Sequence, residues 1–119
     1  MEKTIIPQEH KLYFMFQRQL DFQKSLGMDY NKDIKFNQTF INNMTQALFV
    51  ELAESLQETN FKAWKKAKPI EIEKYREELI DCWHFLINLT LASGMDSIDV
   101  YTRFVEKNET NKQRQKNGY

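Results

Sequence analysis

Apolar residues along this chain recur at intervals of three and four, the spacing of one face of an α-helix. Leu12, Tyr13, Phe16 and Leu20 form such a stripe in a first helix predicted from about Gln8 to Leu26, stopping near Gly27. A polar segment, MDYNKDIK, separates it from a long helix predicted over Asn37 to Glu58. The stretch TNFKAWKKAK reads as a basic, aromatic-bearing loop. Pro69 suits the first position of a third helix, with Glu71 and Glu73 near the positive end of its dipole. That helix is predicted to reach Ser93 and stop at Gly94. Asp96 or Ser97 then caps a fourth helix that fades into the polar tail KNETNKQRQKNGY. No alternating pattern lasts long enough to make a strand. The expectation is an all-α fold, a compact helical bundle of four to five helices, in a single domain spanning 1–119.

The apolar positions of the second helix cover a wide arc. Phe49, Leu52 and Leu56 lie well away from the line of Phe40, Met44 and Ala47. One small monomer struggles to cover both sides, so a homodimer or higher homo-oligomer is expected.

Composition narrows the class. Apolar residues at 41% and aromatics at 13% make a globular protein and exclude a disordered one. Seventeen basic residues balance seventeen acidic ones, so there is no whole-surface attraction for nucleic acid or anionic membrane, and no direct nucleic-acid binding is expected. The segment MEKTIIPQEHKLYFMF lacks the apolar core of a signal peptide, and no window approaches a membrane span. A cytoplasmic location is expected, without a membrane partner. The single cysteine, Cys82, sits in an apolar run and reads as a buried free thiol.

Against this ordinary background the acids are out of place. Glu51 and Glu54 stand in register with the apolar line Phe40–Met44–Ala47. Glu78 and Asp81 share a line with Phe85, Leu89 and Ala92, whereas Glu77 points towards solvent. If the two helices pack together, four carboxylates converge. Two carboxylates about 6 Å apart repel by roughly 3 kcal/mol at an effective dielectric near 20. A divalent cation removes that penalty. An all-oxygen ligand set favours a hard ion, Mg²⁺ or alternatively Mn²⁺, over zinc. One such pair is common on solvated helix faces; two pairs, both in line with apolar stripes, are not. Glu58 continues the second-helix line one turn later and is read as an ordinary surface acid.

The fourth helix carries the opposite sign. Lys107, Asn111 and Arg114 follow Val100 and Phe104 on one face, a set that suits a polyanion: Arg grips phosphate oxygens in pairs and Lys acts as a point charge. An ordinary basic helix C-terminus is the plainer alternative. No Walker loop, GxGxxG or GxSxG is present, and neither histidine has a plausible nucleophile beside it. Acids from two helices and a basic tail fit metal-assisted hydrolysis of a phosphoanhydride better than acyl or hydride transfer.

The ordered set ELAE (51–54), EELID (77–81) and KNETNKQRQKNGY (107–119) resembles the all-α nucleoside triphosphate pyrophosphatases, a superfamily that includes MazG-like enzymes, and its dimeric dUTPase branch in particular. The resemblance runs from about Gln17 to Tyr119. It implies that Glu51, Glu54, Glu78 and Asp81 hold magnesium, and that Lys107, Asn111, Arg114 and Tyr119 contact phosphate. A K-x-W element falls on Lys62 and Trp64, Gln17 matches a glutamine that reads the uracil edge, and His84 is a further pocket residue. The implied reaction is hydrolysis of dUTP to dUMP and pyrophosphate; any of the four acids could orient the water, and Glu54 is the one expected to do so. Only residues 82–106 separate Asp81 from Lys107, where the longest dimeric dUTPases carry an insertion. This leaves dCTP or several nucleotides as alternative substrates, and a non-catalytic helical interaction module as the distant alternative.

Overall fold

The computed structural model describes residues 10–29 and 34–118. Four helices follow one another: α1 (Lys11–Ser25), α2 (Gln38–Gln57), α3 (Ile72–Ala92) and α4 (Ser97–Lys116), with no strand among the described residues. The all-α expectation holds. No helix among the described residues is long and apolar enough to cross a membrane.

Local chemistry explains most boundaries. The Asn37 side chain caps α2 by accepting from the Phe40 N–H at 3.0 Å. Asp96 caps α4, and Asp99 returns the bond to the Asp96 N–H, closing a reciprocal capping box. Gly94 ends the α3 turn at φ +89, a left-handed conformation that a side chain resists. One boundary differs from expectation. Pro69 is not the first residue of α3, which begins at Ile72. The Asn60 side chain donates to the Lys68 carbonyl and accepts from the Lys68 N–H, both at 2.9 Å. This clamp closes the basic loop and keeps the backbone through Lys68 out of the helix. At the other end of the chain α4 does not fade early: it stays helical through Lys116.

Packing is dominated by the pair α2–α3, with α1 laid across α3. A small apolar nucleus joins Ile34, Phe40 and Ala92, flanked by Leu20, Met28, Ile41, Met44 and Leu91. The α4 helix rests on α1 and leaves Ile98, Tyr101, Phe104 and Val105 in solvent. The radius of gyration is 17.6 Å, whereas a compact chain of this length has about 13–14 Å. One chain is therefore an open object, with its acids on the tightest helix pair.

Candidate active site

The α2–α3 pair brings three of the four expected acids together. Glu51, Glu54 and Glu78 each place one carboxylate oxygen so that all three lie within 4.8 Å of one another. Glu51 and Glu78 are half-buried, and Oε2 of each is sequestered without a hydrogen-bond partner among the described residues. Asp81 is exposed and lies outside this group of three, yet its charge acts on both Glu51 and Glu78.

The electrostatics record the crowding. Burial, then contact with Glu78 and the charges of Glu54 and Asp81, lifts the Glu51 carboxyl from 4.5 to about 7. The Glu78 carboxyl accepts from Glu51, which favours its charged form, but burial and the charges of Glu54 and Asp81 outweigh this and raise it too. Each of the two carboxyls thus keeps its proton to a higher pH than an isolated glutamate does. Such a group suits a hard cation on three counts: its donors are all oxygen, two buried oxygens lack partners, and a cation neutralises what the proton neutralises only in part.

Neighbouring groups fall where the plainer readings put them. Glu58 helps to raise the Lys74 ammonium, behind the hydrogen bond and charge of Glu71, and belongs to that surface patch. Cys82 is a buried free thiol, pushed up by burial and then by the acids Glu51, Asp81 and Glu78.

The remaining expected site residues are dispersed. Lys62 and Trp64 lie on the clamped loop. Trp64 is 78% exposed, and the Lys62 ammonium sits 5.7 Å from the centre of the Phe61 ring. Lys62, Lys65, Lys66 and Lys68 ring a cavity of about 310 Å³ at this end of the α2–α3 hairpin. Glu54 lies one turn before the end of α2, so the loop stands roughly 5 Å beyond it along the axis. Lys107, Asn111 and Arg114 occupy the exposed second half of α4, which packs on α1 and not between α2 and α3. Tyr119 lies outside the described residues. Gln17 is half-buried and donates to Asp21 Oδ1 at 3.1 Å.

Two residues that carry no motif prove to be central. Gln19 and Asn88 are 5% and 2% exposed, and they link three helices. Gln19 Nε2 donates to Asn88 Oδ1 at 2.9 Å, and Asn88 Nδ2 donates to the sulfur of Met44 at 3.5 Å. On its other side Gln19 Oε1 lies 2.7 Å from His84 Nδ1. His84 and Gln19 line a cavity of about 540 Å³ between α1 and α3, walled by Met15, Phe22, Trp83 and Ile87. The sequence held one clue to Gln19: it lies three residues beyond Phe16 on the buried face of α1, as out of place as Glu51 is on α2.

A family model described as dUTPase matches residues 11–99, which take in α1, the acid pair and the start of α4. The chain belongs to the dUTPase family. Within the matched span lie Glu51, Glu54, Glu78 and Asp81, so the three converging acids sit on the part of the chain that defines membership. A dCTP pyrophosphatase from Enterobacteria phage T4 is 38% identical over 42 residues, covering 35% of this chain and 25% of the phage protein. The dUTPase-family chain thus aligns with about a quarter of that relative. No solved structure gives a significant match.

Proposed function

We propose that this dUTPase-family chain hydrolyses dUTP to dUMP and pyrophosphate with Mg²⁺ held by Glu51, Glu54, Glu78 and Asp81. The observation that carries the reading is the convergence of three carboxylates within 4.8 Å, two of them with sequestered oxygens that have no partner among the described residues. The bound ions supply positive charge that polarises phosphoryl oxygens and acidifies water, and Mn²⁺ is expected to substitute. Glu54, the exposed member of the three, orients the attacking water and takes its proton as the bond between the α- and β-phosphates breaks. Glu51 enters the binding state only after giving up its proton, so metal affinity rises with pH up to about 7.

The lysine loop, with Lys62 and Trp64, and the stripe of Lys107, Asn111 and Arg114 serve the phosphate chain in this reading, as does Tyr119 at the end of the chain. Gln17 and His84 serve the base. The α4 stripe packs apart from the acids within one chain, and Phe49, Leu52 and Leu56 are exposed on α2. Both features support a homodimer or larger assembly as the working form.

The T4 relative favours a second reading, in which the same acids serve dCTP or several nucleotides. A panel of deoxynucleoside triphosphates with Mg²⁺ and pyrophosphate detection decides between them. Turnover of dUTP alone is the expected result, and turnover led by dCTP moves the assignment to the second reading. Silence across the panel, with metal present and the assembly intact, overturns both and leaves a helical interaction module.

A further inference from the structure

The Asn60 side chain does at Lys68 what a neighbouring strand would do. Its Nδ2 donates to the Lys68 carbonyl and its Oδ1 accepts from the Lys68 N–H, each across 2.9 Å and between residues eight apart. Only Asn and Gln carry a donor and an acceptor on one planar group, so no other side chain of this size makes both bonds. Lys68 precedes Pro69, which biases its backbone towards the extended conformation that presents N–H and C=O to the same side. Inside the closed segment the Lys65 N–H donates to the Lys62 carbonyl at 3.0 Å, a second tie.

The segment so closed carries charge of one sign. Lys62, Lys65, Lys66 and Lys68 line the cavity of about 310 Å³, and no acidic side chain does. None of the four has an ion-pair partner among the described residues. Like charges gathered round one cavity repel and drive an unrestrained loop open. An anion with several charges offsets that repulsion, and the clamp keeps the cations together until one arrives. Both clamp bonds are exposed to water, so they contribute little to the stability of the bundle. What they decide is the shape of the loop. We propose that Asn60 is a positioning residue: by clamping Lys68 it preforms the lysine loop as a cradle for a linear polyphosphate, and so sets substrate affinity and not the rate of the chemical step. Its own amide is taken up by Lys68, so it acts through the lysines. A loop ordered before binding loses less freedom on binding, which is why the clamp shows as affinity. The inference rests on the assignment of this loop to the phosphate chain, and its first test needs no turnover.

The measurement is a calorimetric titration of the full chain with inorganic tripolyphosphate in EDTA, which keeps metal off the acids and leaves the loop to bind alone. The native sequence should bind, and Asn60→Ala should bind about tenfold more weakly, having lost both loop-closing hydrogen bonds. Its helical circular dichroism and melting temperature should stay near native, because the clamp lies outside the helices. Lys65→Gln tests the route. It should weaken binding about fourfold in the clamped loop and less than about twofold after Asn60→Ala, since the two substitutions share one device. Under turnover, Asn60→Ala should raise KM for the nucleotide about tenfold and leave kcat within about twofold, the pattern of binding common to ground and transition states. A folding defect would instead lower the melting temperature and kcat. Equal tripolyphosphate affinity with and without the clamp, no binding by the native sequence, additive effects of the two substitutions, or a fall in kcat at unchanged KM overturns the proposal. A nucleotide panel silent on turnover, together with tripolyphosphate binding that Asn60→Ala weakens, removes the catalytic reading and keeps the clamp.

Discussion

Glu51 and Glu78, on facing turns of α2 and α3, crowd each other so that both carboxyls are raised, and each has an oxygen sequestered from solvent with no partner among the described residues. Packing a small bundle ordinarily removes such pairs, because neither desolvation nor mutual repulsion is offset by contact within the chain. In the metal-free protein, protonation at Glu51 is what relieves the clash.

That relation fixes the sign of a pH dependence. Between about pH 4.5 and 7 the folded chain keeps a proton at Glu51 that the unfolded chain has released. The native state binds more protons in this window, so stability is lost as pH rises through it. A rise from 4.5 to about 7 caps the effect at about 3.5 kcal/mol, at roughly 1.4 kcal/mol per pH unit, and solvent screening of this half-buried carboxyl reduces it. In EDTA the melting temperature of the native sequence should fall more steeply from pH 5 to 7.5 than that of Glu51→Gln. Parallel melting curves would contradict the raised Glu51 carboxyl.

Mg²⁺ should reverse the trend. Added at millimolar concentration it is expected to raise the melting temperature more at pH 8 than at pH 5.5, because the proton no longer competes. Glu54→Gln and Asp81→Asn should lose most turnover while the helical circular dichroism stays near normal. Substantial activity in both variants would contradict the assignment of the acids.

Gln17 and Gln19 separate structure from recognition on one helix. The Gln17–Asp21 bond is an exposed i, i+4 contact, worth roughly 0.2–0.5 kcal/mol to a helix. Gln17→Leu should therefore leave the melting temperature almost unchanged. If Gln17 reads the base as the family resemblance implies, dUTP turnover should fall about tenfold and the gap between dUTP and dCTP should narrow, with metal binding intact. Steady-state kinetics on both nucleotides measures this. An unchanged rate and preference would leave base reading to other residues.

Assembly is open to a direct measurement of mass. The long radius of gyration and the exposed Phe49, Leu52 and Leu56 predict a dimer or larger at micromolar concentration. Leu56→Glu should shift the mass towards the monomer and lower activity with it. A folded monomer of the native sequence that turns over nucleotide would refute the prediction.

Sequence by itself determined what depends on near neighbours. Helix period, the Asp96 cap and the stop at Gly94 are local, and each was legible, whereas the equally local Asn37 cap was read only as the start of α2. So was the misplacement of Glu51, Glu54 and Glu78, because a charge in line with an apolar stripe is visible from spacing alone. Tertiary structure decided what depends on residues far apart. It clustered three acids within 4.8 Å and left Asp81 outside the group, since axial offset between two helices is set by their packing and not by either period. It started α3 at Ile72 because Asn60 pins Lys68 across the loop. And it made Gln19 a buried link to Asn88 and His84, partners 69 and 65 residues away that only packing brings within hydrogen-bond reach.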